Sequence, residues 1–481
     1  MTKSKVHALL KTFSGRETFV EALEKVYEEE STILSPKLLR DKIKLSSGTS
    51  DVKCYPDYLK IITNSILSHS HYRKYGPPAG SIKARISLAL TENLKFSDET
   101  VYSYKDFCIT EGATGAISAF FEYFKENFPD GEVLIPVPSY YLFKLSVQQH
   151  NLKYREVSPI LENKGSDKFL RITSARNIIN SIGEKTKLII ITQPDNPTGE
   201  IYSCEEIAKI ISVAKRKGIL LLFDELFCDL ILSKKSNFVH SDRIAYDQSY
   251  LNNIICVKAY SKNRNIPGFR IGYIFSKNLK IIERITKIQE ERVFFATGSN
   301  FEELIILESF NTSVSQYLKK HPGFSLFKAV SSIREKFISE RVPIYKSSDY
   351  LTKEYLRFES YTHGVLDFYS KNLSVVKRAL KDESIFSMTE SAFNTFVKIK
   401  MPQKVNMFDY CLNLFVTKGV KIQPGPYFGL SQKDWEDNFG LWIRISFSSE
   451  PLLMKEGLEY LIDFNRFYKS SVLINTGMRF K

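Results

Sequence analysis

The stretch from Ala259 to Tyr273 sets a lysine, Lys262, just past the end of an apolar run and places an arginine, Arg270, eight residues later inside Gly-Phe-Arg-Ile-Gly. The two cations suit different work. A lysine amine can form a Schiff base with a carbonyl compound, whereas an arginine stays protonated in a protein and offers a planar fork to a phosphate. Together they suit a small molecule that carries both an aldehyde and a phosphate. The Ser261-Lys262 pair alone reads far more readily as an ordinary surface lysine, and its spacing to Pro267, Gly268 and Arg270 is what singles it out.

For such side chains to meet one ligand, several strand ends must converge on one edge. From Lys105 onward the chain alternates apolar strand, glycine-marked turn, helix and strand, the pattern of a parallel sheet covered by helices. Phe107 to Thr110 runs into Glu111-Gly-Ala-Thr-Gly-Ala116, where free N–H groups and a helix dipole would grip an anion at Ala113 and Thr114. Taken alone, that turn reads as readily as tight helix–strand packing. Glu132 to Pro138 ends in Ser139, Tyr140 and Tyr141, and an aromatic ring at this edge can lie flat on a heteroaromatic one, although either tyrosine also suits a core. The apolar run Lys187 to Gln193 reads as a strand buried on both faces, and the turn Pro194 to Gly199 at its end presents the Asn196 amide to the crevice. Ile219 to Glu225 ends in Asp224, a carboxylate too costly to bury without a cationic partner such as a protonated ring nitrogen. Near the end of the chain, the alternating strand Trp442 to Phe447 carries one guanidinium, Arg444.

With phosphate turn, tyrosine, asparagine, aspartate, and lysine with arginine in this order, the sequence resembles the fold-type I, class I/II aminotransferase family. Pro-Gly-Phe-Arg-Ile-Gly is similar in particular to its aminocyclopropane-carboxylate-synthase branch. The resemblance spans roughly residues 43–310 and 363–465. It implies an α/β fold: a large domain with a mostly parallel seven-stranded sheet between helices, plus a smaller α+β domain from the two chain ends. The expected division is 1–50, an N-terminal segment of the small domain; 51–310, the cofactor domain; 311–362, a helical insertion; and 363–481, the rest of the small domain.

The resemblance implies a pyridoxal 5'-phosphate enzyme that moves an amino group from an amino acid to a 2-oxo acid, with no metal. Lys262 would hold the cofactor and move a proton, Asp224 would pair with the pyridine nitrogen, Tyr140 would stack on the ring, and Asn196 would bond the ring oxygen. Ala113, Thr114, Ser261 and Arg270 join the cofactor-binding set. Tyr75, in the loop Tyr-Gly-Pro-Pro-Ala-Gly80, would reach the phosphate of a neighbouring subunit, which implies a homodimer. Gly48 would let backbone approach the substrate, and Arg444 would clamp its α-carboxylate with help from Asn196. Two positions depart from the family pattern: Phe227 replaces a tyrosine that bonds the ring oxygen, and Ala259 replaces a serine that bonds the phosphate. Both leave open a lyase, cyclase or oxidase on the same scaffold.

Composition bounds the remaining readings. The 481 residues are 43% hydrophobic and 13% aromatic, enough for a large core, with no apolar run of membrane-spanning length and a charged start from Met1 to Val6. A cytoplasmic protein without a membrane partner is expected. Six scattered cysteines argue against a disulfide framework. The net charge of +14 is spread among acidic residues rather than gathered on an arm, which argues against nucleic acid. The roughly 42 residues before the core are fewer than a winged-helix module and linker need, which counts against a transcription regulator with an aminotransferase-like domain.

Overall fold

The computed structural model describes residues 2–40, 42–69, 75–96, 99–163, 169–172, 174–234, 236–292, 301–401, 404–468 and 474–480. Its centre is a seven-stranded sheet in the order β2-β10-β9-β8-β7-β3-β4. These strands are β2 (Phe107–Glu111), β3 (Glu132–Pro136), β4 (Lys153–Val157), β7 (Thr186–Thr192), β8 (Leu220–Asp224), β9 (Ile254–Ala259) and β10 (Ile271–Phe275). All neighbours run parallel except β10, which is antiparallel to both β2 and β9.

Every residue of β8, β9 and β10 is buried, as a strand covered by helices on both faces must be. Local signals set the covering helices. Cys204–Lys217 starts at a capping box between Ser203 and Glu206 and stops at Gly218, whose φ of +65° suits glycine. Its Ile207, Ile210, Ile211 and Ala214 recur at helical spacing and turn inward.

A second sheet has the order β14-β15-β12-β11-β6-β5. It is built from β5 (Glu162–Asn163), β6 (Phe169–Arg171), β11 (Ser384–Ser387), β12 (Asn394–Ile399), β14 (Gln423–Pro424) and β15 (Trp442–Ser446). Most of it comes from the end of the chain, but β6 arrives from the middle and pairs parallel with β11, Phe169 opposite Phe386. Phe396 and Trp442 stack across β12 and β15 with ring centroids 5.3 Å apart. The two ends of the chain meet in β1 (Ile43–Lys44), which pairs parallel with β13 (Val420–Lys421). Between the sheets' chain segments lie the helices Glu302–Lys320, Leu326–Ser339 and Ser348–Ala379, and 311–362 falls within this helical stretch.

Behind the central sheet runs a buried charge network. Glu92 accepts from Lys258 Nζ at 2.9 and 3.0 Å and from the Tyr273 hydroxyl at 2.9 Å, and its carboxylate lies 2.6 Å from Lys95 Nζ. Lys95 also pairs with Asp242 at 2.5 Å, and Glu225 lies 2.8 Å from His240 Nδ1 and 3.7 Å from Lys258. Burial alone would raise the Glu225 carboxyl, but His240, Lys258 and Lys95 outweigh it and hold the group down to about 2. Its contribution to stability is therefore present above the ordinary carboxylate value and is lost as the pH falls toward about 2. Lys258→Met leaves two buried carboxylates short of a cation, and we expect a loss of roughly 3–5 kcal/mol in urea unfolding at pH 7. A variant as stable as the parent would show that the network does not hold these elements together.

Candidate active site

The carboxyl ends of β8 and β9 deliver Asp224 and Lys262 to one crevice. Lys262 lies in the short helix Tyr260–Asn263 that follows β9, and its Nζ donates to the carbonyl oxygen of Gly48. A Cβ built on Gly48 would stand 4.0 Å from that nitrogen. Burial, together with Arg444 and Arg270, lowers the amine to about 8, against a smaller upward pull from Asp224. A lysine so placed is partly neutral near pH 7, as a nucleophile must be.

Asp224 is buried, and its Oδ1 accepts from the Leu226 amide at 3.1 Å. Burial raises its carboxyl to about 7, with Glu225 adding to the rise and Lys262 opposing it. Tyr140 stands half-buried before the helix Tyr141–Gln149. Burial pushes its phenol up, with Tyr141 and Asp224 adding to the rise and Arg444 and Arg270 opposing it.

The helix Gly112–Asn127 opens with no side-chain cap on its first turn. Gly112, at φ +65°, lies against the Arg270 guanidinium, and an added Cβ would come within 3.1 Å of Nη2. A Cβ on Gly272 would stand 2.6 Å from the Gly112 carbonyl carbon and 2.9 Å from the Ala113 nitrogen. Two glycines thus let β10 bring Arg270 to the same helix start as Ala113 and Thr114, where uncapped N–H groups favour an anion.

Arg444, on β15, is buried among neutral acceptors. Its Nε donates to Ser46 Oγ at 3.0 Å, Nη1 to Asn196 Oδ1 at 3.2 Å, and Nη2 to the Ser46 carbonyl at 3.1 Å and to Gln423 Oε1 at 2.6 Å. Among the described residues no carboxylate pairs with it, and burial lowers its guanidinium to about 10. The turn that carries Asn196 is braced from within, since Thr198 Oγ1 donates to Asp195 Oδ2 at 2.6 Å. Gly199, at φ +69°, lets the Ser391 and Asn394 carbonyls approach to where a Cβ would be only 2.7 and 2.9 Å away.

The crevice therefore gathers Lys262, Asp224, Tyr140, Asn196, Arg270, Arg444, Gly48, Ala113 and Thr114. Ser261 lies beside them, buried in the lysine's helix, while Tyr75 is 78% exposed on the surface of this chain. Ser46 and Gln423 escaped sequence reasoning although both hold Arg444. The one signal was the alternation of Val420 to Pro424, which sets Lys421 and Gln423 between apolar residues. Of the two departures from the family pattern, Phe227 is buried edge-to-face on Phe393 at 5.4 Å, and Ala259 is buried at the start of the lysine's helix.

The sequence profile of the aminotransferase class I and II family matches residues 40–461, and the chain belongs to that family. It is 24% identical over 400 residues to the aspartate aminotransferase of Sulfolobus acidocaldarius, covering 82% of both chains. It is 23% identical over 410 residues to nicotianamine aminotransferase 1 of Oryza sativa subsp. japonica, covering 83% of this chain and 69% of the relative. Its fold matches that of N-succinyldiaminopimelate aminotransferase from Mycobacterium tuberculosis with a TM-score of 0.69 at 16% identity, over 93% of this chain and 97% of the other. The protein is a pyridoxal-phosphate-dependent enzyme that transfers an amino group from an amino acid to a 2-oxo acid.

Two features of this chain fit that cofactor. The uncapped helix start beside Arg270 leaves N–H groups and a guanidinium that a phosphate would satisfy, and Asp224 is a buried carboxyl whose cost a cationic ring nitrogen would offset. In the cofactor-free protein the raised Asp224 carboxyl has a definite cost. An acid whose folded value lies above its unfolded one weakens the fold as pH rises from about 4 to about 7, by on the order of 4 kcal/mol for a rise from 3.8 to about 7. We expect cofactor-free Asp224→Asn to melt above the cofactor-free parent at pH 8, with the gap closing toward pH 4. Equal melting temperatures at pH 8 would place the carboxylate in water instead.

Proposed function

We propose that Lys262 is the catalytic lysine of this aminotransferase, that it is assisted by Asp224 and Tyr140, and that Arg444 holds the substrate α-carboxylate. The observation that carries the reading is the Lys262 amine, lowered to about 8, in one crevice with an arginine whose partners are all neutral. The bound cofactor supplies an electron sink for the pair left when the α-proton is removed.

The chain's own residues supply the rest. Arg270, Ser261, and the backbone at Ala113 and Thr114 hold the phosphate, and the Arg270 guanidinium remains charged throughout. Asp224 stays ionised beside the ring nitrogen, because a cation there offsets the burial that raises its carboxyl. Tyr140 would lie on the ring face and Asn196 would donate its amide toward the ring oxygen, while its Oδ1 accepts from Arg444. Arg444 turns its fork to the carboxylate, and Gly48 leaves backbone room beside it. Lys262 Nζ, once freed, takes the α-proton and returns it on the cofactor side. Phe227 leaves Asn196 as the remaining side-chain donor to that oxygen in this assignment.

The same reading divides the chain into 1–50 and 363–481 as small domain, 51–310 as cofactor domain, and 311–362 as a helical insertion. It is a cytoplasmic, biosynthetic enzyme in this account; among the described residues no helix is long and apolar enough to cross a membrane. It works as a homodimer, with Tyr75 of one subunit donating its hydroxyl to the phosphate held by the other. The exposure of Tyr75 on a single chain supports that role.

Borohydride reduction of the yellow enzyme should fix the cofactor on Lys262, and Lys262→Ala should lower turnover by roughly a thousandfold or more. A label on another lysine would end the assignment. Mixing inactive Tyr75→Ala chains with inactive Lys262→Ala chains should restore one native site per hybrid dimer. Hybrids no more active than either parent would contradict a shared site.

A further inference from the structure

Two segments from distant parts of the chain must be held together for the crevice to exist. The segment 45–51 is moored to the end of the second sheet's β15: the Ser446 amide donates to the Leu45 carbonyl at 2.7 Å, Ser448 Oγ to the Thr49 carbonyl at 2.8 Å, and the Asp51 amide to the Ser448 carbonyl at 3.0 Å. Lys262 belongs to the central sheet, in the short helix after β9. Its Nζ donates to the Gly48 carbonyl, but that contact cannot be the lasting tie, because the amine must leave it to react.

Three residues after Lys262 stands Asn265, at φ +55°, a conformation that asparagine tolerates better than most residues. Its amide is held at both ends by tyrosines of the helix Ser348–Ala379. Nδ2 donates to the Tyr361 hydroxyl at 3.3 Å, and Oδ1 lies 3.2 Å from the Tyr369 hydroxyl. The two tyrosines are eight residues apart, on one stripe of that helix. Their hydroxyls also reach the other segment, since Tyr361 donates to the Lys53 carbonyl at 3.0 Å and Tyr369 lies 2.8 Å from Ser50 Oγ. Tyr369 is fully buried, with its ring against Phe393 and Phe447 at 5.5 and 6.4 Å, so its hydroxyl is fixed in place.

The residue type at 265 fits the role. Glycine would take the backbone conformation but bond neither tyrosine, and aspartate would lose the donor that Tyr361 accepts. Asparagine meets all three demands.

We propose that Asn265, Tyr361 and Tyr369 are positioning residues for the amino transfer: a bridge that holds the backbone at Gly48 and Ser46 over the Lys262 turn while the amine itself is engaged. This role rests on the assignment of Lys262 and Arg444 to the reaction. Ser46 bonds Arg444 from the bridged segment, so the bridge acts on how firmly the crevice grips a substrate rather than on the phosphate cradle.

The test uses the cofactor-loaded enzyme and its variants Asn265→Gly, Tyr369→Phe and the two combined, with the best donor among the common L-amino acids and 2-oxoglutarate as acceptor. Each single variant should raise the KM for the amino acid about tenfold, with kcat within about threefold of the parent and cofactor affinity unchanged. Amide hydrogen exchange in the peptide covering 46–53 should quicken in the same variants, with or without turnover. Because both substitutions cut one bridge, the double variant should be little weaker than the worse single. Should Tyr369→Phe fail to fold, Tyr361→Phe, on a partly exposed ring, carries the same expectation. Unchanged KM and exchange, losses that add in the double variant, or a cofactor affinity that falls with the rise in KM would each overturn the bridge. A borohydride label off Lys262 would instead overturn the catalytic assignment beneath it.

Discussion

The arrangement turns on a buried arginine that no carboxylate neutralises. Taking a guanidinium out of water is costly, and Arg444 offsets the cost with four hydrogen bonds to oxygen atoms of Ser46, Asn196 and Gln423. Those residues belong to the segment after β1, the turn after β7, and β14. To satisfy one cation the chain must therefore bring its beginning, its central sheet and its last strands into register. The pairing of β1 with β13 and of β14 with β15 supplies that register. Neutral partners also leave the charge uncancelled, which is what the proposed hold on a substrate carboxylate requires.

Much of this was legible in the sequence, and the reason is physical. A strand buried on both faces must be an apolar run, and the polar residues at its carboxyl end border the crevice. Asn196, Asp224 and Lys262 stand at or within a few residues of such ends, and the resemblance to the aminotransferase family is what singled them out there. The candidate phosphate cradle was legible for another reason: the small residues from Gly112 to Ala116 turn a strand directly into a helix start, and Gly272 stands where a Cβ would strike the Gly112 backbone.

Other parts left no such mark. Ser46 and Gln423 matter through pairings with residues far along the chain, and a serine or glutamine carries no periodic signal of its own. The three-residue β6 is too short for a two-residue period to show, so its transfer into the second sheet could not be read. Glu92, Lys95 and Lys258 look like surface charges in a sequence, and only their mutual contacts explain how they lie buried.

The separation of Ser46 and Arg444 by 398 positions also gives the site a history during synthesis. The strands that carry Asn196, Asp224, Lys262 and Arg270 leave the ribosome well before β15 does, and early segments tend to fold first. The strand ends that carry Lys262 and Arg270 can thus be in place before the buried Arg444 network exists. At that stage Ser46 has been made, but Gln423 and Arg444, which bond it, have not. The Arg444 network is the last part of the crevice that the growing molecule completes.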